Sequence, residues 1–155
     1  MVNRVVFDCN ILLQGLASPN GPSGQCVQLA FEGKVSLFVS PVVLEELRDV
    51  ANRPRVVERL GLDPGRVEDF LEAVEIAATV LLNPPEVFAY DRDPDDAHYV
   101  NLALAADAKL IVSRDRDLLD LMDSNKPEGN AFRLRFPLLQ ILEPGAFLRE
   151  FEAAT

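Results

Sequence analysis

The 155-residue chain has one histidine, two cysteines and three lysines, and each scarcity removes a class of chemistry. His98, the lone histidine, falls on the expected outward side of its helix, which argues against histidine general-base or triad catalysis. Cys9 and Cys26 lack metal-ligand spacing, and one histidine gives no Cys/His set for zinc. Both read as reduced thiols, with Cys9 buried. A phosphate-cradling G-x-x-x-x-G-K loop is missing. No run is long and apolar enough to span a bilayer, and the first apolar run meets Asp8 too early for a signal peptide. A cytoplasmic location is therefore expected. With few lysines and a net charge of −10, a strong grip on nucleic acid through bulk electrostatics is not expected.

What is present is a globular composition, 48% hydrophobic, of a length that fits one domain spanning residues 1–155. There is no internal repeat, low-complexity tract or linker. Val5-Val6-Phe7 reads as a short buried strand closed by Asp8, with a helix starting at Ile11 and Asn10 at its cap. A helix over 23–32 stopped by Gly33 follows, then a strand over 35–39. Ser40-Pro41 opens a helix to Asn52, Pro54 breaks it, and Asp63-Pro64 opens another to Ala78. A strand over 79–82 ends at Asn83-Pro84-Pro85. Asp93-Pro94 starts a helix to Ala106, a strand covers 110–112, and a short helix lies near 118–122. A loop through 125–130 precedes a strand over 139–142 and a helix over 144–151. Strands alternating with helices predict an α/β fold, a three-layer sandwich with a central parallel sheet. The closing apolar residues Phe147, Leu148 and Phe151 are either core or a homodimer contact.

Helical phase sorts the acids. After Ser40, Val43, Leu47, Val50 and Ala51 form the apolar arc; Glu46 sits at its edge and Glu45 points away. In the next acidic helix Asp96 shares the face of Tyr99, Val100 and Ala103, while His98 and Asn101 are expected to face water. An inward carboxylate needs a partner or a metal. Asp93 and Asp95 read as cap and charge match for the helix dipole. Asp115 lies nearest the end of strand 110–112; Asp117 is either a further site acid or the cap of the following helix. The flanking arginines are alternative neutralising partners for both. Arg48, Arg53, Arg55, Arg59 and Arg66 cluster in one span, either as a solvated face or as a phosphate-contacting edge.

In an open parallel sheet, acids after strands and on the helices that follow them gather at one edge. Carboxylates suit Mg²⁺ or Mn²⁺, and such a site activates water and clamps phosphodiester oxygens. An aspartate-nucleophile phosphatase would carry D-x-D after its first strand; here the third position is Asn10.

The segments VVFDCN, SPVVLEEL and DPDDAHYVNLALAADAKLIVSRDRDLL, in that order, resemble the PIN domain nearly end to end. The nearest likeness is to prokaryotic PIN proteins regarded as toxins of toxin–antitoxin pairs. The resemblance implies a Mg²⁺- or Mn²⁺-dependent ribonuclease acting on single-stranded RNA. It places the family's acids at Asp8, Glu46, Asp96 and Asp115, as catalytic and metal-ligating residues, with Asp117 as a candidate fifth. Asn10 matches the polar residue after the first aspartate. An antitoxin protein with an arginine-rich segment is the implied partner of an acidic groove. The rival reading is a catalytically weak module of the same fold that binds nucleic acid or protein.

Overall fold

The computed structural model describes residues 3–154. β1 (Asn3–Phe7) buries Val5, Val6 and Phe7 completely. Asp8 ends it and caps α1 (Cys9–Ala17), its Oδ1 accepting the Ile11 N–H at 2.9 Å. The cap thus lies two residues before the expected Asn10, because Asp8 has the extended backbone an N-cap requires. Asn10 is exposed in the first turn.

α2 (Pro22–Phe31) gives way at Gly33, whose φ of 71° favours glycine, and β2 (Val35–Val39) follows. Ser40 caps α3 (Pro41–Ala51) by accepting the Val43 N–H, with Pro41 in the first position. α4 (Pro54–Leu60), α5 (Pro64–Ala77) and the edge strand β3 (Thr79–Val80) complete the first half. β3 stops short of the expected Leu82 because its partner β2 ends at Val39, paired with Val80.

The second half carries a 3-10 turn (Pro94–Asp96) leading into α6 (Ala97–Ala105), then β4 (Leu110–Val112) and α7 (Arg116–Leu119). Asp120–Met122 forms another 3-10 turn, followed by α8 (Pro127–Arg135), β5 (Gln140–Leu142) and α9 (Pro144–Ala154). α8 replaces most of the loop expected over 125–130. Its start, Lys126-Pro127-Glu128-Gly129-Asn130, is turn-forming in composition, but Gly129 serves close packing. A Cβ there would lie 2.0 Å from the Asp123 carbonyl oxygen and 2.7 Å from that of Asp120.

All strand pairs are parallel and the sheet order is β3-β2-β1-β4-β5. The chain walks from β1 outward to β3, then crosses to the other side of β1 for β4 and β5. Reversal at β1/β4 opens a crevice beyond the carboxyl ends of those two strands. α1, α2, α3, α5 and α9 pack together on one face, and right-handed crossovers put α6 on the other, against β1, β2 and β4. The result is a three-layer α/β/α sandwich. Phe147 is 1% exposed and meets Phe7 edge-on at 6.2 Å, so it belongs to the core, with Leu148 and Phe151 packed partly buried against it.

The outer side of α6 departs from expectation. Asn101 is 5% exposed rather than solvated. Its Oδ1 accepts the N–H groups of Val87 (2.9 Å) and Phe88 (2.7 Å), and its Nδ2 donates to the Phe88 carbonyl at 3.0 Å. The helical phase stands, but the far side of α6 is roofed by segment 81–93 instead of water. His98 is likewise half-buried, its ring 4.0 Å from that of Tyr99.

Candidate metal centre

The crevice at β1/β4 is built on Asp8 and Ser113, the residues that follow the two strands. Ser113 is fully buried and Asp8 is 3% exposed. The Asp8 N–H bonds the Val112 carbonyl at 3.1 Å, joining the strand ends. Ser113 donates its hydroxyl to Asp8 Oδ2 in a short hydrogen bond and accepts the Asp115 N–H on the same oxygen at 2.9 Å. One serine thus ties the first acid to the last. Burial pushes the Asp8 carboxyl up from 3.8 to about 6; Ser113 and the Ile11 N–H oppose this, while Asp115 adds to it.

Asp93, Asp96 and Asp115 each offer a carboxylate oxygen within 4.8 Å of the others, and all three are half-buried. Asp96 Oδ2 is buried and has no hydrogen-bond partner. Burial and then Asp115 and Asp93 hold the Asp96 carboxyl well above the usual carboxylate range. Ionised, that oxygen faces only other acids, so a proton or a cation is needed to bring the group together. Three carboxylates, one of them carrying an unpartnered buried oxygen, are a donor set for a hard divalent ion, not for zinc. The triad fits such an ion.

Glu46 is placed at the same crevice from α3. Its Oε2 accepts the Tyr99 hydroxyl at 2.9 Å, and its Oε1 lies 2.5 Å from His98 Nε2. Glu45 is exposed. Tyr99 also accepts the N–H of Cys9 at 3.0 Å, satisfying a donor in the first turn of α1.

Of the acids singled out from the sequence, the structure gathers Asp96 and Asp115 into one triad. Asp8 adjoins it through Ser113, both its oxygens engaged, while Glu46 on α3 lies outside the triad and is tied through Tyr99 to Cys9, the residue after Asp8. Asp117 turns away: it pairs with Arg92 at 2.6 Å, and Asp115 caps α7 by accepting the Asp117 N–H. Arg92, 25 residues upstream, is the neutralising partner, not Arg114 or Arg116, which are exposed. Asp93 joins the triad instead of capping a helix; its side chain makes no cap hydrogen bond. Tyr99, Ser113 and Arg92 were not legible as site residues, since none breaks an apolar or charged pattern. Arg53 pairs with Asp49 at 2.6 Å and Arg48 with Glu68 at 3.6 Å; these arginines, with Arg55, Arg59 and Arg66, are solvent-exposed. Cys9 and Cys26 are buried and unpaired, their thiols pushed up to about 12 chiefly by burial. Among the described residues no helix is long and apolar enough to cross a membrane.

The PIN domain family matches residues 4–117. An uncharacterized protein of Methanocaldococcus jannaschii is 33% identical over 150 residues, covering 96% of this chain and 92% of its own length. PIN domains are in general nucleases, and they typically use divalent metals. A match that takes in β1 through the start of α7, with a relative one-third identical along almost all of its length, makes this chain a member of the PIN domain family.

Proposed function

We propose that the protein is a Mg²⁺- or Mn²⁺-dependent endoribonuclease that hydrolyses single-stranded RNA, and that it serves as the toxin of a toxin–antitoxin pair. The observation that carries the chemistry is the buried, unpartnered Asp96 oxygen among the carboxylates of Asp93 and Asp115. Asp96, Asp115 and Asp93 would hold the cation, with Asp8 and Glu46 completing the acidic set and Asn10 beside them. A divalent ion there supplies Lewis-acid activation of water and of a phosphodiester oxygen. Glu46, held by the Tyr99 hydroxyl with His98 close beside it, would take the proton of the attacking water. Water adds to phosphorus and the P–O3′ bond breaks. One product keeps the 5′-phosphate, and the leaving oxygen takes a proton from solvent water to become a 3′-hydroxyl, Glu46 giving its own proton back to solvent.

The toxin assignment rests on the likeness of the acidic motifs to prokaryotic PIN toxins. The acidic balance supports a cationic antitoxin segment as partner, in a cytoplasmic, single-domain protein; a homodimer is a further arrangement to be measured. That same balance favours the second reading, a catalytically weak binding module. Incubation with mixed RNAs, with Mn²⁺ or EDTA, followed by mapping of the ends, separates the two. Metal-dependent cuts with 5′-phosphate ends support the nuclease. Metal-independent cuts leaving 2′,3′-cyclic ends overturn the mechanism, and intact RNA bound without cleavage points to the module.

A further inference from the structure

Beyond the triad, the segment 88–92 forms one wall of an open cavity of about 420 Å³, lined on the other side by α8. Four rings line it. Phe88 meets Phe132 edge-on at 5.2 Å and Phe136 at 6.1 Å, and packs tilted on Tyr90 at 5.7 Å. Arg135 lines it too, its guanidinium carbon 4.8 Å from the Phe136 centroid and one nitrogen donating to the Val87 carbonyl at 2.8 Å. No carboxylate pairs with Arg135 among the described residues, so the rest of its donor fork is available.

The charges matter as much as the rings. Arg92 also lines the cavity, but its nitrogens are taken by Asp117 (2.6 Å), Asp120 (2.8 Å) and Glu128 (3.4 Å). Arg92 and Arg135 are balanced by Asp91 and Glu128 in the lining, so the cavity is neutral within a chain of net charge −10. A neutral, planar, apolar-faced group suits it better than a cation or an isolated phosphate. Its position is equally specific: Arg92 faces the cavity, and the next residue, Asp93, belongs to the triad. α8 lies outside residues 4–117, so half of this cavity comes from the part of the chain that the family match does not cover.

We infer that this cavity is a nucleobase subsite, holding a base of the RNA strand beside the phosphate that rests on the acidic triad. The inference builds on the nuclease reading. Aromatic walls hold bases by stacking, largely independently of sequence; here the partly exposed Phe88 and Phe136 offer the ring surface, and Arg135 adds donors for acceptor atoms on a base edge. The subsite also answers the charge problem. Grip on the substrate comes from the base face, where the acidic balance does not oppose it.

The test uses the full chain and four probes without phosphate: adenosine, guanosine, cytidine and uridine. Binding is read in EDTA by saturation-transfer NMR, and in parallel KM, kcat and cut sites are measured on mixed RNA with Mn²⁺. Two variants accompany the parent. Ala131→Phe places a ring into the cavity from an exposed α8 position, and Arg135→Gln removes the open cation. Stacking of one base predicts that Ala131→Phe weakens nucleoside binding roughly tenfold or more and raises KM with little change in kcat. Arg135→Gln has the same direction and a smaller size. If Ala131→Phe fails to fold, nucleoside-induced shifts of the Phe88, Tyr90, Phe132 and Phe136 ring signals in the parent decide the matter. Nucleosides that bind this cavity in a protein that never cuts RNA leave the subsite standing and remove the nuclease reading. RNA cleavage with parental KM and cut sites in both variants, or nucleosides that leave those ring signals unmoved, overturns the subsite and leaves the nuclease intact.

Discussion

Tyr99 ties Glu46 to the start of α1: one hydroxyl donates to Glu46 Oε2 at 2.9 Å and accepts the Cys9 N–H at 3.0 Å. Three elements, α1, α3 and α6, thus meet on a single oxygen of a residue that is 3% exposed. Burial, with Glu46 next, raises the Tyr99 hydroxyl above the ordinary tyrosine range, so it stays a donor throughout the working pH range.

Tyr99→Phe should therefore act twice. It orphans a buried backbone donor, at a cost of about 1–3 kcal/mol in unfolding free energy. It also frees Glu46 on one side, which should lower kcat for RNA cleavage more than it raises KM. Urea melts and steady-state kinetics read the two effects separately. Parental kinetics in a destabilised Tyr99→Phe protein would show that Glu46 needs no orientation from α6.

The triad makes a sharper prediction than the acidic motif does. Asp96→Asn and Asp93→Asn should each remove most of the melting-temperature rise produced by Mn²⁺, whereas Asp95→Asn should leave it intact, since Asp95 is exposed. Asp117→Asn should lower stability through the lost Arg92 pair and keep the metal response. On α3, Glu46→Gln should abolish cleavage and Glu45→Gln should spare it. A full Mn²⁺ shift in Asp93→Asn would return that residue to the role of a helix-terminal acid.

Much of this site is readable from local chemistry, and the rest fails for identifiable reasons. Proline in the first helical position marks α3, α4 and α5, two of them behind a Ser or Asp cap, and short β-branched runs mark β1, β2 and β4. Helical phase separates Glu46 from Glu45 because α3 has one buried and one solvated side. The same reasoning misplaces Asn101, because α6 is covered on both sides. α8 is hidden by Pro127, Gly129 and Asn130, whose turn-forming character is local while the packing that Gly129 permits is tertiary. Arg92 finds Asp117 and Asp120 across a gap in sequence that carries no periodic signal. Asp93 is concealed by its own plausibility as a cap, a role the 3-10 turn leaves unfilled.

Asn101 now carries a stability prediction of its own. Its amide replaces a strand partner for Val87 and Phe88, pinning a segment that has no helix or strand between β3 and the Pro94 turn. Asn101→Ala leaves two backbone N–H groups and one carbonyl without that partner, and a loss of roughly 2–4 kcal/mol is expected. Amide exchange should accelerate first at Val87 and Phe88. Because this segment also carries Arg92 and Asp93, the Mn²⁺ response should weaken in the same variant. Unchanged exchange at those two amides would show that the segment is held by its aromatic contacts alone.

Asp8 connects pH, metal and stability, and the sign can be worked out. Its carboxyl is raised from 3.8 to about 6 in the folded protein, so between those values the folded state holds more protons than the unfolded chain. Stability from this group is then fully present below about pH 3.8 and is lost as pH rises through about 6, by roughly 3 kcal/mol in metal-free protein. A cation offsets the loss by binding only the folded state, with about 2.7 kcal/mol gained at a hundredfold excess over its dissociation constant. Asp8→Asn keeps the α1 cap, since asparagine also accepts the Ile11 N–H, but removes the charge beside Asp115. In EDTA the variant should melt at or above the parent at pH 7.5, and that advantage should shrink to about a third at pH 4.5, vanishing only below about pH 3.8. In millimolar Mn²⁺ its gain should shrink, leaving the parent the more stable protein, the usual exchange of stability for function at an active site. Thermal melts of both proteins at the two pH values, in EDTA and in Mn²⁺, decide it. A variant far less stable in EDTA at pH 7.5 that retains the whole Mn²⁺ shift would make Asp8 a structural cap, with the cation held by the triad alone.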